Sequence, residues 1–180
     1  MLARSYAERA KAQYEEIADR VNVGKLLNNL GGLNFLLGKP EEAVASLKEA
    51  FRVALEIDNE IDAGYAVSSL AQVHQRLGQN VLAEEQARRA LELLGGREDE
   101  LEEVGNAQLV LGRALLEQHR LDEARETFRL AERSFSQISS ASHVAAVWVA
   151  QGDLATQRGD DRAAARLYRR AAEALQDFRF

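Results

Sequence analysis

Residues 37–51 read LGKPEEAVASLKEAF, and residues 77–91 restate the phrase as LGQNVLAEEQARRAL. Both open on Leu-Gly, and both carry alanines at matching places, Ala43 with Ala83 and Ala50 with Ala90. In the first stretch and just beyond it Ala43, Val44, Leu47, Ala50, Phe51, Ala54 and Leu55 recur at steps of three and four, which sets them on one face of a helix. Glu41, Glu42, Lys48, Glu49, Arg52 and Glu56 take the other faces. The Leu-Gly pair therefore marks a turn between one helix and the next.

Working outward, the same turn recurs at Gly38, Gly78, His119 and Gly159, at steps of 40, 41 and 40. Five residues beyond each turn stands an alanine: Ala43, Ala83, Ala124, Ala164. Seven further stands another: Ala50, Ala90, Ala131, Ala171. Between them come Leu47, Ala87, Phe128 and Tyr168, and seven residues before each turn lie Gly31, Ala71, Gly112 and Gly152. Small residues where two helices cross let the backbones approach, and the large residue between the alanines fills the adjoining groove. The spacing predicts paired helices near 21–37 and 40–57, 61–77 and 81–94, 100–118 and 121–137, and 141–158 and 161–177. Pro40 suits the first turn of its helix. Gly95-Gly96 and Ser139-Ser140 mark breaks between pairs, and the acidic run Glu98, Asp99, Glu100 favours a helix start.

This combined spacing resembles the tetratricopeptide repeat, a helix-turn-helix unit with Leu-Gly, turn and Ala-x3-aromatic-x2-Ala positions. The last unit matches best, with Trp148 and Gly152 before Gly159, then Ala164, Tyr168 and Ala171. The resemblance implies an all-α, right-handed superhelical solenoid with a period of about 40, forming a single domain over 1–180. Its helix pairs would span 21–57, 61–94, 100–137 and 141–177. The family period is about 34, so longer helices are expected here. The family's proline after the second helix is absent from every unit, and His119 stands where the other turns have glycine, a position histidine tolerates better than most residues. Ala3, Ala7 and Ala10 lie forty residues before Ala43, Leu47 and Ala50, so 1–20 reads as a partial repeat, a second helix without its first. A cut inside a longer array is the expectation this raises.

Composition narrows the classes. Of 180 residues, 46% are hydrophobic and 29% charged, enough to bury a core and present a charged surface. No apolar run approaches the ~18 residues of a membrane span, and charges interrupt the opening segment too often for a signal peptide. A cytoplasmic protein without membrane contact is expected. There is no cysteine, which removes disulfides and thiolate chemistry. The net charge of −6 argues against direct nucleic-acid contact by this region, because such affinity rests on neutralising phosphates.

No catalytic constellation stands out, so the chain reads as a non-enzyme with no cofactor and no metal. His74, His119 and His143 lie on different repeats, the serines from 134 to 142 lack nucleophile-elbow spacing, and GGLNFLLG at 31–38 has no phosphate-loop ending. The resemblance instead implies a concave groove lined by the first helix of each pair. Positions ten and six before the turn give Asn28 and Gly32, Ser68 and Gln72, Leu109 and Arg113, and Val149 and Asp153. Position thirteen before it adds Lys25, Tyr65, Asn106 and Ala146. With Asn29 and Ser69 alongside, the first half of the groove is rich in amides that can pair with a peptide backbone, and Arg113 can hold a carboxylate. The candidate peptide- or protein-binding residues are thus Lys25, Asn28, Asn29, Tyr65, Ser68, Gln72, Asn106 and Arg113. The carboxylate-clamp set of the co-chaperones is absent, since its positions hold Asn28, Gly32, Ser69, Asn106 and Val110. Phrases such as LGKPEEAVASLKEAF and RRAAEALQDFRF resemble the C-terminal half of bacterial helix-turn-helix transcription regulators, which implies ligand sensing and self-association, with Phe178 and Phe180 as contact candidates. A stand-alone scaffold joining two proteins is the alternative.

Overall fold

The computed structural model describes residues 9–10, 13–14 and 16–176. The expected partial repeat over 1–20 falls largely outside this range, and Phe178 and Phe180 fall wholly outside it. Among the described residues the elements are α1 (Arg20–Leu36), α2 (Pro40–Glu56), α3 (Glu60–Arg76), α4 (Asn80–Leu94), a 3-10 turn (Glu98–Glu100), α5 (Leu101–Glu117), α6 (Leu121–Gln137), α7 (Ala141–Gln157) and α8 (Asp161–Gln176). The fold is all-α, built of solenoid-type helix pairs. Among the described residues the helix ends from Arg20 to Asp161 lie within a residue of where the repeat spacing puts them.

The chain divides between Gly95 and Gly96 into two compact units. In the first, α1 packs on α2, α2 on α3 and α3 on α4, while α1 also reaches α3. In the second, α5 to α8 repeat that arrangement, with α5 reaching α7. No helix among the described residues is long and apolar enough to cross a membrane.

The long period has a simple local cause. The helices α1, α2 and α3 are each 17 residues long, and each is followed by a three-residue connection built the same way. The residue after the last turn is left-handed: Gly38, Asp58, Gly78, His119, Ser139 and Gly159 have φ between 53° and 76°. The next N–H then donates to the carbonyl five residues back, as in Lys39 to Asn34 at 2.9 Å, Asn59 to Ala54 at 2.9 Å, Arg120 to Leu115 at 3.0 Å and Ser140 to Phe135 at 3.0 Å. This closure satisfies carbonyls that a helix end would otherwise leave bare. After α4 it is not used: Gly95 is extended at φ −60° and ψ 141°, and the left-handed residue is Gly96. The boundary between the units therefore coincides with the irregular connection.

Histidine at 119 adopts φ 59°, the conformation its alignment with three glycines implied. A left-handed non-glycine residue costs roughly 1–2 kcal/mol, of which glycine's extra backbone entropy offsets part. His119→Gly should accordingly raise the stability of the second unit by about 0.5–1 kcal/mol. Urea unfolding followed by circular dichroism tests this, and an unchanged or lower midpoint would count against a strained turn.

The helix pairs are held by small residues facing large ones. A Cβ added at Gly31 would lie 2.4 Å from Leu47, one at Gly112 2.4 Å from Phe128, and one at Gly152 2.5 Å from Tyr168. The second pair meets the same need with Ala71 and Ala87, both fully buried. A second layer of the same kind sets Gly64 against Leu94 and Gly105 against Phe135. Leu55, expected on the buried stripe of α2, is instead exposed. Asp19 caps α1 by accepting the Asn22 backbone N–H at 3.1 Å and its side-chain amide at 2.6 Å. The amide bond first, then the backbone bond, holds the Asp19 carboxyl below the usual carboxylate range.

Candidate functional site

The first helices of the two pairs in the first unit, α1 and α3, leave a groove with two cavities along it. Nearer their N-termini, Gly24, Lys25, Asn28 and Asn29 of α1 face Ile61, Asp62 and Tyr65 of α3 around about 410 Å³. Nearer their C-termini, Gly32, Phe35 and Leu36 face Ser69, Gln72, Val73 and Arg76 around about 240 Å³, with Leu47 of α2 as part of the floor. One end thus offers amides and opposite charges, and the other offers hydrocarbon beside a guanidinium. Leu36 is 84% exposed at the apolar end.

The groove face of α1 follows residues 25, 28, 29 and 32, and that of α3 follows 62, 65, 69, 72 and 76, both at helical spacing. Lys25, Asn28, Asn29 and Tyr65 come together in the polar cavity, and Gln72 lies in the apolar one. Ser68 does not join them. It is 0% exposed, because Gly64, Ser68 and Ala71 sit one turn apart on the face that packs against neighbouring helices. Ser69 takes the place in the groove expected of Ser68.

Asn28 occupies the matching position on α1, at the edge of the packing face between Gly24 and Gly31. Its side chain is half-buried, and its Oδ1 is buried without a hydrogen bond among the described residues. A buried acceptor left without a donor costs about 1–3 kcal/mol. A turn of the amide that brings Oδ1 into the cavity would let a donor in the groove relieve that cost.

Asn106 and Arg113 lie on α5 in the second unit and line neither cavity; Asn106 donates its Nδ2–H to Glu103 Oε2 at 3.0 Å. Ile61, Asp62, Phe35, Leu36, Val73 and Arg76 were not anticipated as groove residues. Only Phe35 and Leu36 have a signal, since GGLNFLLG places large apolar residues at 33, 35, 36 and 37, on more than one face of the helix.

The histidines have local roles. His74 Nδ1 lies 2.6 Å from Gln79 Oε1, His119 forms its turn, and His143 stacks on Phe135 at 4.6 Å with Nδ1 2.7 Å from Ser140 Oγ. Among the described residues no group of three or more His, Asp or Glu side chains is placed to hold a metal ion.

Residues 23–57 match the tetratricopeptide repeat family. The matched segment comprises nearly all of α1 and α2, so it contains one wall of the groove. No curated protein matches the chain in sequence. Among solved structures, BtubC (BKLC) from P. vanneervenii is similar with a TM-score of 0.82 at 19% identity, covering 97% of this chain and 73% of that one. MamA is similar with a TM-score of 0.63 at 19% identity, covering 97% of this chain and 92% of that one. At such identities the likeness is one of fold. The tetratricopeptide match over α1 and α2 supports a protein-interaction scaffold.

Proposed function

We propose that the protein is a peptide-recognition module that holds an extended segment of a partner protein in the α1–α3 groove. The observation that carries this reading is Asn28 Oδ1, a buried acceptor without a donor on the wall of a roomy polar cavity. Once the Asn28 amide turns into the cavity, a peptide backbone N–H supplies what that oxygen lacks, and Asn29, Ser69 and Gln72 offer further backbone partners along the groove. Lys25 and Asp62 at the same end can orient a charged ligand side chain.

In the fuller form of the proposal the module is the ligand-sensing and self-associating part of a cytoplasmic bacterial transcription regulator. The phrase-level resemblance of residues 37–51 and 169–180 supports that role. A ligand that binds one shape of the array better than another shifts the population only by that difference in affinity.

The test is Asn28→Ala combined with Gln72→Ala. A peptide selected on the full chain from a random display library should bind the double variant about tenfold more weakly, as expected for two lost hydrogen bonds at ~0.5–1.5 kcal/mol each. Circular dichroism should be unchanged. Equal affinity for both proteins would remove the groove from the account.

A further inference from the structure

We propose that Gly32 is the specificity-determining residue of the groove: its missing side chain opens a pocket that receives one apolar side chain of the bound peptide, flanked by an acidic residue that meets Arg76. This rests on the groove reading and adds to it the class of sequence that is read.

Among the described glycines within helices, Gly31, Gly64, Gly105, Gly112 and Gly152 each face a side chain that a Cβ would strike, and Gly24 sits in ordinary contact with Val53. Gly32 meets nothing within 4 Å. Packing does not require a glycine there, and glycine in a helix interior costs about 0.5–1 kcal/mol relative to alanine. The equivalent position in the other pairs holds Gln72, Arg113 and Asp153.

Space and chemistry define the occupant. The cavity beside Gly32 measures about 240 Å³, below the ~300 Å³ at which pockets begin to enclose whole small molecules. One side chain suits it better. Its floor, Leu47 and Val73, continues a buried core cluster with Leu70, against which Phe35 also packs. A leucine or methionine entering it would leave water for an apolar surface, and the exposed Arg76 guanidinium at the rim complements a neighbouring carboxylate.

The probe is a peptide selected from a random display library on the full chain and mapped by amide chemical shifts. Its consensus should contain a leucine- or methionine-class residue next to Asp or Glu. Gly32→Leu should weaken binding at least about tenfold by filling the pocket, Gly32→Ala should change it less than about threefold, and Arg76→Glu should weaken it about fivefold. Because leucine is the better helix former and a Cβ at 32 meets no atom within 4 Å, Gly32→Leu should melt no lower than the parent. Should it melt lower, Gly32→Gln, with the residue found at 72, takes its place as the filling variant. If the filling variant binds normally while Asn28→Ala/Gln72→Ala does not, the pocket is overturned and the groove stands. If both bind normally, or the shifts map away from α1 and α3, the groove reading fails and the pocket fails with it.

Discussion

Phe128→Ala should destabilise the second unit by about 3–5 kcal/mol, and Gly112→Ala by about 1–3 kcal/mol, yet the two together should cost clearly less than their sum. Phe128 is 0% exposed, so truncation leaves a cavity with no route to water. A Cβ at Gly112 would lie 2.4 Å from Phe128 Cε1 and 2.5 Å from Cδ1. Either the ring leaves its place or α5 and α6 move apart, and both options lose contacts. In the double variant the ring is gone and the new methyl group occupies part of its volume. The same chain contains that solution already, since Ala71 and Ala87 pair at the equivalent positions and are both fully buried. A coupling of about 1–2 kcal/mol is expected from urea unfolding of the parent, the two single variants and the double variant. Strict additivity would show that the contact between 112 and 128 does not set the spacing of the helices.

That pair also shows which parts of the architecture can be read without coordinates. A glycine or alanine seven residues before each turn, faced by a larger residue nine beyond it in three of the four pairs, is a physical requirement of two helices crossing closely, so it leaves a periodic mark. The left-handed turn residue leaves another, and together they place the helix ends within each pair. A second layer is equally periodic, with Gly24, Gly64, Gly105 and Ala145 at steps of 40, 41 and 40; Leu94 and Phe135 face Gly64 and Gly105 at the same offset, and Val53 faces Gly24 one residue out of step. The groove was harder to read. A helix face turns by about 100° per residue, and an assignment shared by all pairs placed Ser68 in the groove when the face of α3 actually runs through Tyr65, Ser69 and Gln72. Asn28 survives the same error because it sits at the edge of that face. The period places Gly32 in the groove but not its lack of a side chain, and Leu36 and Arg76 carry no periodic signal, as each differs from its counterparts in the other pairs.

Trp148→Ala should be the second large loss, about 3 kcal/mol, the low end for a tryptophan because the indole is only half-buried, and its dissection distinguishes two ways in which one side chain can join three helices. The indole Nε1–H donates to Glu132 Oε1 at 2.8 Å, and Gln151 Nε2 donates to Glu132 Oε2 at 3.0 Å. On the indole face lies the Arg170 guanidinium, 3.8 Å from the ring centre. Trp148 on α7 thus reaches α6 through a hydrogen bond to a carboxylate and α8 through a cation–π contact. Trp148→Phe keeps an aromatic face for Arg170 and removes the donor, so it should cost about 1.5–3 kcal/mol, the value of a hydrogen bond to a charged group. Arg170→Gln keeps the donor and removes the cation, and should cost about 0.5–2 kcal/mol. Circular dichroism follows the tryptophan variants; in Arg170→Gln the chain's only tryptophan also reports by fluorescence. If Trp148→Phe is as stable as the parent, the bond to Glu132 contributes nothing net and the large residue at 148 acts by volume and stacking alone. If Trp148→Phe costs nearly as much as Trp148→Ala, the carboxylate left with one donor is the dominant penalty, and Glu132→Leu in the Trp148→Phe background should recover most of the loss.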